Sequence, residues 1–126
     1  MYLCEIYSYN FTQNESLSQD EYFIKTISYI HEHYNEKITL DFLAKLSQTS
    51  RSSYISKFKE ICKMPPLTYL TKTRIAIAEN LLLESSLSVA EVAYRTGFYD
   101  CSHFAKIFTQ EKGISPFAYK KNNQNT

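Results

Sequence analysis

Slid along itself by 50 positions, the sequence brings Ser52 onto Ser102, Tyr54 onto Phe104, Phe58 onto Phe108, Pro66 onto Pro116 and Tyr69 onto Tyr119. In the stretch just before, an offset of 49 fits better and places Leu43 on Val92 and Ala44 on Ala93. A chain of 126 residues that repeats in this way is expected to form two similar lobes sharing a rigid element. The change of offset makes the second turn one residue longer than the first, and a turn is where a length change is tolerated.

Hydrophobic spacing assigns helices to both copies. Phe23, Ile24, Ile27, Ile30 and Tyr34 recur three or four apart from Glu21 onward, and Asn35 with its charged neighbours ends the run. Thr39 is placed to cap a short helix with Leu40, Leu43 and Ala44 inward. Ser50 is placed to cap another, carrying Tyr54, Phe58 and Ile61 on one face. Pro65 and Pro66 suit only the first turn of the helix that follows, which runs from Leu67 to about Glu84 with Leu70, Ile75, Ala78, Leu81 and Leu82 patterned apolar. Ser88 and Glu91 form a capping box ahead of Val89, Val92 and Ala93, and that helix ends before Gly97. Asp100 caps the next, with Phe104, Ile107 and Phe108 inward, Lys112 in its last turn and Gly113 as its stop. Ser115 and Pro116 open a final short helix through Tyr119.

The expected fold is therefore all-α: two helix-turn-helix subdomains joined by a long connecting helix. The first unit spans about 21–64, the connector about 65–84 and the second unit about 86–121. Small residues at Ala44 and Ala93 let paired helices approach, and the aromatic spine anchors the second helix of each pair. Residues 1–20 comprise an aromatic stretch (Tyr2, Tyr7, Tyr9, Phe11) and the polar run TQNESLSQD, and read as a linker or the remnant of an upstream domain. The end, KKNNQNT, gives a disordered tail over 122–126.

The formal charge of +1 hides an uneven distribution, because residues 21–126 hold all fourteen Lys and Arg against ten Asp and Glu. That excess permits a polyanionic partner without requiring one. Three cysteines, Cys4, Cys62 and Cys101, lie too far apart for a CxxC pair and are odd in number, so a reducing cytosol is the expected location. No apolar run approaches 18 residues, and the start lacks the basic flank and apolar core of a signal peptide, so no membrane partner is expected. Catalytic patterns fail as well. His31 and His33 cannot share a helix face, His103 has no partner at metal-ligand spacing, and two glycines make no phosphate-cradling loop. No Ser-His-Asp set occupies an elbow or cleft. No enzyme, metal or cofactor is expected.

Function must come from the face opposite the aromatic spine. In the first copy that face offers Arg51, Ser52, Ile55, Ser56 and Lys59; in the second, Cys101, Ser102, Ala105, Lys106 and Thr109. Small, polar and basic groups on a protruding helix suit the major groove of DNA, where Arg or Lys meets purine acceptors, Ser bonds to several base edges, and Ala or Ile meets a thymine methyl. Cys101 is read as a small side chain near DNA rather than a redox switch, since Asp100 raises a thiol pKa while a helix N-terminus lowers it. A helical protein-interaction module is the alternative and would expose an apolar groove instead. RNA binding would call for exposed stacking aromatics on these helices.

With these residues in hand, the chain resembles the C-terminal DNA-binding domain of the AraC/XylS transcription regulators over residues 21–121. The second half carries the stronger match, in Ala90, Glu91, Val92, Ala93, Gly97, Phe98, Asp100, Ser102, Phe104, Phe108, Gly113, Ser115, Pro116 and Tyr119. Arg74, Ala78 and Leu81 to Leu83 match the connecting helix, and Leu40, Leu43, Ala44, Ser50, Phe58 and Lys59 match the first unit. The resemblance implies double-stranded DNA as partner, two recognition helices entering successive major-groove segments, and an asymmetric site of two elements. It implies base-side positions at Ser52, Ile55 and Ser56 and at Cys101, Ser102, Ala105 and Lys106, with Arg51 nearer the backbone. It also implies promoter activation through RNA polymerase and an upstream effector or dimerisation domain, so the chain is expected to be a fragment, the alternative being a small stand-alone member. Three departures stand out: Lys63 where the second copy has Gly113, Lys57 at a usually apolar position, and Ser53 where an aromatic is frequent. A left-handed turn at Lys63 would carry a strain of about 1 kcal/mol. Lys57 is expected to lay its stem on the core and turn its ammonium outward, and Ser53 to leave the first unit more loosely packed.

Overall fold

The computed structural model describes residues 18–84 and 86–124, so the aromatic stretch at 2–11 lies outside the described residues. Among the described residues there are seven helices and no strand: α1 Gln19–His33, α2 Leu40–Leu46, α3 Arg51–Cys62, α4 Pro66–Glu84, α5 Val89–Arg95, α6 Cys101–Lys112 and α7 Pro116–Gln124. The chain divides into two compact units between Leu70 and Thr71, within α4.

In the first unit the caps form where the sequence places them. Thr39 accepts from the Phe42 N–H and Ser50 from the Ser53 N–H. The core joins Phe23, Ile27 and Ile30 of α1 to Leu43, Ala44, Tyr54, Phe58 and Leu70. Leu70 comes from the first part of α4. His31 and Tyr69 close the edge through a 2.7 Å bond between imidazole Nε2 and phenol, and burial holds the imidazole below its ordinary pKa.

The second unit repeats this with its own core of Ile75, Ala78, Leu82, Val89, Val92, Ala93, Phe98, Phe104 and Phe108. The later part of α4 serves it as α1 serves the first unit: at an offset of 48, Ile27 falls on Ile75, Ile30 on Ala78 and His31 on Glu79. Glu79 accepts from the Tyr119 phenol at 2.7 Å, the counterpart of the His31–Tyr69 bond. Loss of solvent and the neighbouring carboxylate push that phenol up to about 12, while the bonds from Tyr119 and Lys112 hold Glu79 below the usual carboxylate range.

Three expectations need correction. Helix α1 starts at Gln19, inside the run read as linker, because Ser18 and Glu21 make a reciprocal capping box with bonds of 3.2 and 3.0 Å. Ile61 is 47% exposed; its counterpart Glu111 is exposed too, so the amphipathic pattern outruns the covered part of the helix, and Cys62 packs on the core instead. Helix α7 continues through Gln124, where a final short helix through Tyr119 and a disordered tail from residue 122 were expected. Nothing after Tyr119 breaks the backbone ladder, and Lys120 Nζ to the Leu82 carbonyl (3.5 Å) and Asn123 Nδ2 to the Tyr119 carbonyl (2.7 Å) add to it.

Both turns close alike. The Ala44 carbonyl accepts from the Thr49 N–H at 3.1 Å and from the Ser47 hydroxyl at 3.0 Å, as the Ala93 carbonyl accepts from the Phe98 N–H at 3.0 Å and the Thr96 hydroxyl at 3.2 Å. The second turn then has one residue more, Tyr99, before its cap. Left-handed backbone occurs at Gly97 and Gly113, and at their counterparts Gln48 (φ 60°) and Lys63 (φ 64°). Lys63 thus adopts the turn that a glycine would take without strain. Lys63→Gly is expected to stabilise the chain by about 1 kcal/mol, read as a raised urea midpoint. Gly113→Ala is expected to destabilise by a similar amount, and by conformation alone, because a Cβ there meets nothing within 4 Å. A loss of stability in Lys63→Gly would show that its side chain holds something in place.

Candidate nucleic-acid interface

The spines of α3 and α6 set which face each helix shows to solvent. Phe58 is fully buried, with ring centroids 5.6 Å from Phe23, 5.7 Å from Tyr54 and 5.5 Å from Tyr69. Phe108 stands likewise, 5.6 Å from Phe104 and 5.5 Å from Tyr119. The two copies differ one turn earlier. Tyr54 donates its hydroxyl to Thr26 Oγ1 at 2.8 Å, and burial raises its pKa. Phe104 has no hydroxyl; in that unit Phe98 packs 5.1 Å from it, with the Arg74 guanidinium 5.9 Å over the Phe98 ring. Lys57 behaves as its position requires: its ammonium lies 5.4 Å over the Phe23 ring and 2.8 Å from Asp20 Oδ1.

On the outward face of α3, Arg51, Ser52, Ser56 and Lys59 are exposed and Ile55 is half-buried. Arg51 is bonded through Nε to Asp41 Oδ1 at 3.1 Å. On α6, Ser102 and Lys106 are exposed and Ala105 is half-buried, while Cys101 packs against the second core. The nine candidate residues thus lie on one helix in each unit, with Ile55, Cys101 and Ala105 the most covered. Among the described residues, neither Lys59 nor Lys106 has an ion-pair partner. Thr109 turns its hydroxyl back to the Ala105 carbonyl at 2.7 Å, and Lys72 holds Glu111 at 2.8 Å, so the end of α6 spends its polar groups on its own unit.

In the sequence His103 stands out only for its lack of a partner at metal-ligand spacing. It stands exposed in the first turn of α6, its ring 5.9 Å from Phe98, at the position matched by Ser53. The repeat carries no signal for it, since offset 50 matches it to Ser53, a position read for packing; its exposure in the structure is what sets it beside Ser102.

Residues 43–122 match the model of a family described as a helix-turn-helix domain. The chain belongs to the AraC-type helix-turn-helix family. Among solved AraC-type structures, it is similar to the DNA-binding domain of AdpA in complex with a target DNA. That likeness has a TM-score of 0.79 at 29% identity and covers 82% of this chain and 93% of that one. Among curated relatives, it is 40% identical over 97 residues to the HTH-type transcriptional regulator YdeC of Bacillus subtilis, covering 77% of this chain and 33% of that protein. It is 32% identical over 90 residues to the transcriptional activator RhaS of Salmonella schwarzengrund, covering 71% of this chain and 32% of that protein. This AraC-type chain therefore spans about a third of the length of these relatives. Among its described residues no helix is long and apolar enough to cross a membrane.

Proposed function

We propose that the chain is the DNA-binding end of a transcription regulator, with α3 and α6 each laying a polar face into the major groove of duplex DNA. The observation that carries this reading is the pairing, in each unit, of a fully buried aromatic spine with an outward face of hydroxyl, small apolar and basic side chains. Such a helix is held firmly from behind and turns hydroxyl, basic and a few apolar side chains outward, the mix that hydrogen-bonding base edges and thymine methyls require. The similarity to AdpA's domain, solved on its target DNA, supports it.

Ser52, Ile55 and Ser56 read bases for the first unit; Cys101, Ser102, Ala105 and Lys106 do so for the second. Arg51 and Lys59 meet phosphates. His103, one residue from Ser102, joins the second face. RhaS is named as an activator, and activation of bacterial promoters by aiding RNA polymerase is the proposed outcome, in the cytoplasm. A whole protein of the relatives' length would carry a further domain that senses an effector or dimerises, and no catalytic step is assigned to this one.

The two faces share Ser52 and Ser102 but otherwise present different groups, so the chain is expected to select an asymmetric site of two dissimilar elements. Selection from random duplexes followed by footprinting tests this. A palindromic optimum occupied only by pairs of chains would overturn the two-reader reading, and affinity for duplex that ignores salt would overturn DNA binding itself.

A further inference from the structure

The first unit carries a contact that the second has no side chains to make. Arg51, the first residue of α3, is bonded to Asp41 on α2, and the two side chains are 63% and 65% exposed. Offsets of 50 and 49 place Cys101 and Ala90 at the matching positions. An ion pair this open is weakly held and exchanges readily with other ions. A guanidinium at the start of a groove-facing helix is well suited to a phosphate, yet here a carboxylate 3.1 Å away already offsets its charge. Lys57, a second cation of the same helix, is likewise turned to a carboxylate, Asp20. Of the three basic side chains on α3, only Lys59 faces outward without an ion-pair partner among the described residues.

We propose that Asp41 is an electrostatic brake on DNA engagement by the first unit: it holds Arg51 off the phosphates and must be exchanged for one before Arg51 contributes. The inference rests on the reading of α3 as DNA-facing. Its consequence is selective. Binding to random sequence is driven by phosphate contacts, so with Arg51 masked the outward face of α3 brings only Lys59 to it. At a matched site, the base contacts of Ser52, Ile55 and Ser56 bring Arg51 close enough to a phosphate for the exchange to occur. The brake thus widens the gap between specific and random binding.

The test is Asp41→Asn in the 126-residue chain, with binding to random and selected duplexes followed from about 50 to about 200 mM salt. Asn keeps the size of the side chain, and circular dichroism checks that the variant is folded. Binding to random duplex is expected to tighten about three- to tenfold at low salt, with the log–log salt slope steeper by about 0.9, the mark of one added phosphate contact. The gain should shrink when Arg51→Ala is present as well. Weaker binding by Asp41→Asn would overturn the proposal, because Asp41 would then be positioning Arg51 for contact. An equal gain with and without Arg51 would also overturn it, leaving simple repulsion of DNA by the carboxylate. If wild type binds duplex and Asp41→Asn binds it identically, the brake alone fails. Should wild type bind no duplex at the lowest salt, the DNA-binding reading fails and takes the brake with it.

Discussion

Phe108→Ala is expected to lower folding stability by about 3 to 5 kcal/mol. The ring is fully buried and touches both Phe104 and Tyr119, so its removal exposes no surface that water could usefully fill. The helices that carry the neighbouring rings relax only partially into such a gap, and part of the cavity therefore persists. Ordinary domains hold only about 5 to 15 kcal/mol in total. The loss should appear as a large drop in the urea midpoint, and Phe58→Ala should behave similarly, since its ring stands among Phe23, Tyr54 and Tyr69 in the same way. Unchanged unfolding in either variant would mean that the inward and outward faces of α3 or α6 are interchanged.

Lys106→Ala is expected to lose about 1 to 3 kcal/mol of discrimination between a selected site and random duplex. The residue is exposed near the middle of α6, without an ion-pair partner among the described residues, and on the same face as Ser102 one turn earlier. An ammonium so placed can reach the paired acceptors of guanine, and a methyl group cannot. Ser102→Ala should lose less, because a hydroxyl accepts several base edges. Lys59→Ala, which removes a proposed phosphate contact, should weaken both duplexes alike. Competition binding at one fixed salt concentration separates the cases: equal losses for Lys106→Ala on both duplexes would move it to the phosphate class.

What could be read from the sequence is what short-range rules govern. The caps at Thr39, Ser50, Ser88 and Asp100 are each a side chain bonding three residues ahead, and the two spines follow helical period. The capping box at Ser18 obeys the same rule but sits in a polar run, which masked it. The left-handed turn at Gln48 has no local signal at all, since only alignment with Gly97 exposes it. The extension of α7 draws on Glu79 and Leu82, some forty residues earlier. The pairs Arg51–Asp41 and Lys57–Asp20 join different helices, and periodicity says nothing about which charged side chains meet across a packed pair. The nine outward residues were legible as a face; how much each one protrudes was not, as the partly covered Cys101 shows.

Each unit buries a core of its own, Phe58 in one and Phe108 in the other, while the proposed reading positions, Cys101 apart, do not pack into either. For a lineage of regulators this separates what must be inherited from what is free to drift. On the proposed reading, a change at Ser56 alters half of an address without touching the residues that spell the other half. Such a protein can migrate from one promoter to another by way of intermediates that still recognise part of the old sequence, and its two copies can age at different rates.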